Sequence, residues 1–160
     1  MTNLDFKYEE KLTADRREQV LKLWNKEYPQ QLSYKEIQDF DAYLSKLDDK
    51  QHLLAIMDDY LCGWMMCFTR NTERWFAMIV DRSYQGMTIG TRLMKLAKQK
   101  ESVLNGWVID NSTYLRADET PYVSPLSFYL KNGFIALPNT RLELPHLSAL
   151  KITWKKPITI

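Results

Sequence analysis

Apolar positions follow two rhythms along this chain. Leu4, Phe6 and Tyr8 alternate with polar residues, the spacing of a half-buried edge strand. From Thr13, a good helix cap, the rhythm lengthens: Val20, Leu21, Trp24 and Tyr28 recur at helical spacing, and Pro29 stands just beyond the end. Ser33-Tyr34-Lys35-Glu36 has the form of a capping box opening a second helix, with its apolar stripe at Ile37, Phe40, Leu44 and Leu47. Both helices are amphipathic and require a flat apolar surface to lie on.

Strand-length apolar runs supply that surface. Leu53 to Met57 and Leu61 to Phe68 read as a hairpin turned by Asp58-Asp59-Tyr60, and Trp75 to Val80 is a third run. A helix is predicted from about Thr88 to Ser102, with Ile89, Leu93, Leu96 or Ala97, and Val103 on one face. Trp107 to Ile109 is a short strand. Ser124-Pro125 reads as a cap with proline at the first helical position, and Gly133 as the stop of that helix. Phe134 to Leu137 and Leu150 to Trp154 are the last strands. The order is strand, helix, helix, three strands, helix, strand, helix, two strands, which implies a mixed sheet with helices on its faces. With no linker or repeat in 160 residues, a single domain spanning 1–160 is expected.

Charge narrows the classes of partner. Twenty-two basic and 20 acidic side chains give a net charge of +2 and no basic stripe, so neither nucleic acid nor an anionic membrane is expected. The longest apolar stretch, Leu61 to Phe68, is far short of the roughly 20 residues of a membrane span. Cys62 and Cys67 have an odd separation that points them to opposite faces of a strand, which disfavours a mutual disulfide. No secretory leader is apparent in Met1 to Glu10, so a cytoplasmic location is expected. His52 and His146 have no third ligand nearby, and no metal is expected. Trp64, Trp75 and Trp107 read as core.

The chemistry concentrates where the third strand leaves the sheet. Val80-Asp81-Arg82-Ser83-Tyr84-Gln85-Gly86-Met87-Thr88-Ile89-Gly90-Thr91-Arg92 runs from a strand through two glycines into a helix. Free N–H groups at a helix start, reinforced by the helix dipole, suit a phosphate or pyrophosphate. Neither the P-loop spacing nor G-x-G-x-x-G is present. Taken alone, the segment reads first as a structural turn with Thr88 as a cap, and Tyr129 as a half-buried rim residue.

Two segments together resemble the general N-acetyltransferase (GNAT) superfamily. The first is Val80, Tyr84, Gln85, Gly86, Ile89 and Gly90; the second is Phe128, Tyr129, Gly133 and Phe134. The resemblance implies an α/β (α+β) fold whose mixed, mostly antiparallel central sheet of about six to seven strands carries helices on both faces. It implies acetyl-CoA as the cofactor, bound by Met78, Ile79, Val80, Gln85, Gly86, Met87, Thr88, Ile89, Gly90, Thr91 and Tyr129. It also implies transfer of the acetyl group to a primary amine. Tyr129 would protonate the departing thiolate, and a backbone N–H near Met78 would stabilise the developing negative oxygen. A non-catalytic acyl-CoA-binding module of the same fold is the alternative.

The chain departs from the family pattern at several places. Thr88 stands where glycine is frequent, Arg82 where proline is, Pro125 where alanine is usual, and Tyr122 where an asparagine often precedes the tyrosine. Glu73 and Asp110, and in the loop Asp118 or Glu119, are candidates for the base that deprotonates the acceptor. Arg92 is a candidate neighbour of the coenzyme phosphates, whereas Lys95 and Lys98 read as a solvated helix face. The acceptor pocket is expected between the helical hairpin Ser33 to Leu47 and the segment Arg141 to His146. A small-molecule or peptide amine is the expected partner, and a homodimer is a family tendency.

Overall fold

A computed structural model describes residues 3–158, so residues 1–2 and 159–160 of the expected domain span lie outside the described residues. The alternating opening segment forms β1 (Leu4–Glu9), followed by α1 (Ala14–Glu27). Thr13 caps α1 as its sequence suggests: its side chain accepts a hydrogen bond from the Arg16 N–H at 3.1 Å.

The second helix starts later than the capping box predicts. Here α2 covers Ile37–Ser45, Glu36 sits at its N-cap position, and no side chain caps it. Residues Gln30–Leu32 form a 3-10 turn instead. Asn25 on α1 then clamps the backbone of Tyr34, donating to its carbonyl at 2.8 Å and accepting from its N–H at 3.0 Å. The Ser33 N–H, which a capping box would give to the Glu36 side chain, goes instead to the Gln30 carbonyl at 3.2 Å.

The sheet is built from β2 (Asp48–Met57), β3 (Tyr60–Arg70), β4 (Glu73–Val80), β5 (Val103–Val108), β6 (Ile135–Leu144) and β7 (Leu147–Lys155), together with β1. Two further helices, α3 (Ile89–Lys100) and α4 (Leu126–Lys131), stand between β4 and β5 and between β5 and β6. The strand order is β1-β2-β3-β4-β5-β7-β6, antiparallel at every pair except β4–β5. Element order agrees with the hydrophobic pattern throughout. The strands run longer than the apolar runs, because ladder pairing continues through polar residues such as Asp48 and Gln51. Val103 belongs to β5, paired with Lys155, and not to the stripe of α3.

Each face of the sheet carries its own core. Leu93 and Met94 of α3 and Tyr129 of α4 pack on one face with Leu104 and Ile152. Val20 and Trp24 of α1 and Phe40 of α2 pack on the other with Trp64 and Met66. The pairing of β2 with β3 shifts by one residue between Ala55↔Gly63 and Ile56↔Leu61, so Cys62 is an extra, bulged residue. The bulge reverses the parity of β3 and brings both thiols into the α3-side core, where each is free. The expectation of opposite faces assumed an unbroken strand. No helix among the described residues is long and apolar enough to cross a membrane.

The parallel junction is where the sheet opens. Trp75↔Asn105 is the one register pair between β4 and β5. Buried Asn105 pins the strands there by donating to the Arg74 carbonyl at 3.0 Å. Beyond it the Phe76 ring lies against Gly106, where a Cβ would come within 2.8 Å of ring carbon Cε1. The ring acts as a wedge, and the strands part above it.

Candidate functional site

A cleft of about 790 Å³ occupies the opening between β4 and β5 and continues across both faces of the sheet. At its α3 end the chain leaves β4 through a turn anchored on Asp81, which is 1% exposed. The Asp81 carboxylate accepts from Lys26 Nζ at 2.8 Å, Ser83 N at 2.9 Å and the Tyr60 hydroxyl at 2.8 Å. Burial works to raise its pKa, and these hydrogen bonds outweigh burial and hold the carboxyl below its ordinary value. Gly86 follows with φ +86° and no atom within 4 Å of where a Cβ would stand. Glycine is required there by conformation and not by crowding. The first N–H groups of α3, which lack intrahelical acceptors, face this open loop.

Thr88 occupies the N-cap position of α3, but its side chain makes no capping hydrogen bond. It has φ +57°, a left-handed conformation that a β-branched residue adopts only under strain, and its hydroxyl donates to the Met87 carbonyl at 2.7 Å. Val80, Gln85, Gly86, Thr88, Ile89, Gly90 and Thr91 line the cleft, as do Met78 and Ile79 from β4. Met87 lies outside the lining and is exposed. Arg92 turns to the Phe6 ring, 4.6 Å from its centroid. Lys98 is no solvated side chain: it donates to the Asn132 carbonyl and lies 5.0 Å from the Trp154 ring.

Tyr129 stands on α4 opposite that loop. The helix begins one residue later than expected, with Pro125 before its first turn, yet Ser124 Oγ still accepts from the Leu126 N–H at 3.3 Å. Gly133 ends it with φ +88°, and the Phe134 N–H returns to the Tyr129 carbonyl at 3.1 Å, closing the turn as the sequence suggests. The Tyr129 ring packs on Phe76, Phe128 and Phe134 at centroid distances of 5.4, 5.2 and 5.6 Å. Burial, and then the neighbouring Tyr122 phenol, push its pKa far above the ordinary tyrosine value, so it keeps its proton at neutral pH. Tyr28, also pushed well up by burial, donates to the Met78 carbonyl at 3.5 Å. Tyr122 is raised to about 12, chiefly by burial. Three protonated phenols thus surround the middle of the cleft.

The half facing α1 and α2 is walled by aromatic rings. Trp24, Tyr34, Tyr43, Phe68, Trp75 and Trp107 all line it. Trp75 is buried in the core as expected, with Trp107 packed against it, their rings tilted 32° and 5.2 Å apart, and both also line the cleft. Trp64 is core, fully buried as expected. Leu142, Leu144 and Leu147 bring the β6–β7 hairpin to the same cavity.

Carboxylates are scarce in the lining. Glu73 stands outside it, 3.3 Å from Lys151 Nζ. Asp110 is outside as well, gripped by Arg141 at 2.9 and 3.0 Å, and that pairing holds its pKa below the ordinary value. Asp118 binds Thr120 and Arg82, hydrogen bonds that lower its pKa to about 2, while Glu119 sits in the adjoining turn with φ +68°. The carboxylate the cleft does contain is Glu27, 6% exposed on the last turn of α1. It accepts from the Arg82 N–H at 3.1 Å, with Arg82 and Arg116 guanidinium nitrogens at 3.6 and 3.8 Å. In the sequence Glu27 and Tyr28 are one polar and one apolar residue of an amphipathic helix, with no sign that both reach a cavity. Tyr122 stands out in the sequence only as a departure, where the family pattern often has asparagine.

An acetyltransferase (GNAT) domain model matches residues 48–136, from the start of β2 into β6. No curated protein matches the chain in sequence. Solved structures agree in fold. An acyl-CoA N-acyltransferase from Pseudomonas aeruginosa is similar over 95% of this chain and 99% of its own, with TM-score 0.68 and 16% identity. An aminoglycoside 6'-N-acetyltransferase complexed with coenzyme A is similar over 98% and 99%, with TM-score 0.68 and 14% identity. A PaiA N-acetyltransferase from Thermoplasma acidophilum, in complex with coenzyme A, is similar over 95% and 99%, with TM-score 0.60 and 16% identity.

Proposed function

Because the chain belongs to the GNAT acetyltransferase family, we propose that it transfers an acetyl group from acetyl-CoA to a primary amine. The observation that carries this reading is the continuity of the cleft, from the loop Gln85 to Gly90, past Met78, to Tyr129. Two of the structural neighbours hold coenzyme A, and the parts needed for that ligand are at hand here. The open loop at Gly86 and the free N–H groups of α3 suit a pyrophosphate. Backbone groups of β4 from Met78 to Val80, unpaired with β5, suit the amide-bearing pantetheine arm.

The chemistry follows from what the side chains hold. The amine nitrogen forms a bond to the acetyl carbon as the carbon–sulfur bond breaks. Tyr129, kept protonated by burial, gives its proton to the departing sulfur and regains one from solvent. The Met78 N–H stabilises the charge that gathers on the acetyl oxygen. Glu73 and Asp110, held in ion pairs outside the lining, have no place in this pathway, so the amine sheds its proton to water in the cleft. The edge strand β6 is the surface on which a homodimer would form.

The test is a calorimetric titration with acetyl-CoA, with Gly90→Glu as the control, followed by thiol release in the presence of amines. Gly90 faces the Phe128 ring of α4, with its Cβ position 3.2 Å from ring carbon Cζ, so a glutamate there fills the coenzyme cleft. Binding that the control loses, with amine-dependent thiol release, is expected. Binding without thiol release would leave a non-catalytic acyl-CoA-binding module.

A further inference from the structure

The cleft's half facing α1 and α2 has a character of its own. Its charged lining consists of Arg70, Arg82, Arg116 and Glu27. Glu27 is already engaged by Arg82 and Arg116, and no other carboxylate lines the cleft among the described residues. An acceptor carrying several ammonium groups would therefore meet the unpaired guanidinium of Arg70 and no free anion, a repulsive setting.

Arg70, at the end of β3, is different from the other two arginines. Its guanidinium lies 4.6 Å from the Trp75 ring centroid and 5.4 Å from that of Phe68. It has no ion pair among the described residues; Glu73, its cross-strand neighbour, is taken by Lys151 at 3.3 Å. The two rings hold the guanidinium, and no side-chain hydrogen bond or ion pair engages it among the described residues, so its fork is available to grip a carboxylate in bidentate fashion. The wall between Arg70 and Met78 is aromatic and apolar. Trp75 is three strand residues from Met78, a distance of about 10 Å.

We propose that the acceptor is a monoamine with an aromatic or apolar body and a carboxylate at its far end, the carboxylate seated on Arg70 and the body between Trp75, Tyr43 and Trp107. The proposal rests on the acetyl-transfer reading for where the amine lies. Arg70 and the rings set the identity of the acceptor, and the same surface excludes polyamines and polycationic sugars.

Three probes separate these classes in calorimetric titrations of the full chain: 4-(2-aminoethyl)benzoate, 2-phenylethylamine and spermidine. Each is titrated with and without saturating coenzyme A, so an absence of coenzyme binding, which defeats the transfer reading, leaves the amine preference legible. The benzoate should bind about ten- to a hundred-fold more tightly than 2-phenylethylamine, the range of a charge-assisted hydrogen-bonded pair, and spermidine most weakly. Arg70→Leu, which keeps apolar contact with Trp75, should bring the benzoate to the level of 2-phenylethylamine. Arg70→Lys should keep part of the difference, and coenzyme A affinity should stay level in both variants as a check of folding. Spermidine binding best, an acid preference that survives Arg70→Leu, or coenzyme A binding with no amine binding at all would overturn the proposal.

Discussion

At the residue scale Tyr129 and Thr88, both in the lining of the cleft, show how surroundings shape a side chain. Tyr129 is 5% exposed and boxed by Phe76, Phe128 and Phe134, so burial keeps its proton in place at neutral pH. Tyr129→Phe should lower turnover by about ten- to a thousand-fold and leave acetyl-CoA affinity nearly unchanged, since the ring packing survives. Steady-state kinetics beside calorimetry check this; unaltered turnover would take Tyr129 out of the mechanism. Thr88 shows the reverse case of a residue in conflict with its backbone. At φ +57° it occupies a conformation that costs a β-branched residue about 1–2 kcal/mol, partly offset by the entropy a glycine would lose on folding. Thr88→Gly should therefore gain up to about 1 kcal/mol of stability, and it should also tighten acetyl-CoA binding by clearing the mouth of the α3 N-terminus. Thermal melts and titration read the two effects separately, and a lowered Tm would show that the strain is not released.

At the element scale, the cleft opens at one irregularity in the sheet. All seven strands take part in antiparallel ladders, but β4 and β5 meet in parallel through a single register pair. Asn105 closes the junction below and Phe76 spreads it above, with Gly106 giving the ring room. Gly106→Ala would force its methyl group into the Phe76 ring, whose face supports both Tyr129 and Phe134 at 5.4 Å. Overpacking of this kind costs about 1–3 kcal/mol, and the displaced ring should carry Tyr129 with it. The expected result is a lower Tm together with a fall in kcat; a normal kcat at a lowered Tm would mean the wedge serves stability alone. Element identity was legible beforehand because both rhythms are strong: helical stripes end at Pro29 and Gly133, and strand runs break at Asp58-Asp59. The capping box at Ser33 misled because Gln30 takes the Ser33 N–H and Asn25, on another helix, holds the backbone of Tyr34. No local pattern announces such a competitor. The bulge at Cys62 escaped for a similar reason, since register is a property of two strands.

At the scale of the whole molecule, the two core layers give the fold its response to acid. His52 is 2% exposed beneath α1 and α2, and its Nδ1 accepts from Trp64 Nε1 at 3.0 Å, which leaves the imidazole neutral. Burial, with a smaller effect from Lys50, lowers its pKa to about 4. A depressed histidine pKa means that the unfolded chain binds more protons between about 4 and its ordinary 6.5. Its contribution to stability is therefore complete above about pH 6.5 and is lost as the pH falls toward 4, by up to about 3 kcal/mol. Denaturant melts at pH 6.5 and 5.0 should show this slope in the wild type and a shallower one in His52→Gln; equal slopes would assign the acid sensitivity to other groups. By itself the sequence determined the order of elements, the glycine-bearing turn into α3 and Tyr129 in its helix, because local spacing and turn chemistry are written in neighbouring residues. Tertiary structure decided which side chains share the cleft. Glu27, Arg70 and Arg116 come from separate parts of the chain, and Glu73 and Asp110 were drawn off into ion pairs with Lys151 and Arg141. Charge pairing and the parting of two strands act across space, so no spacing along the chain records them.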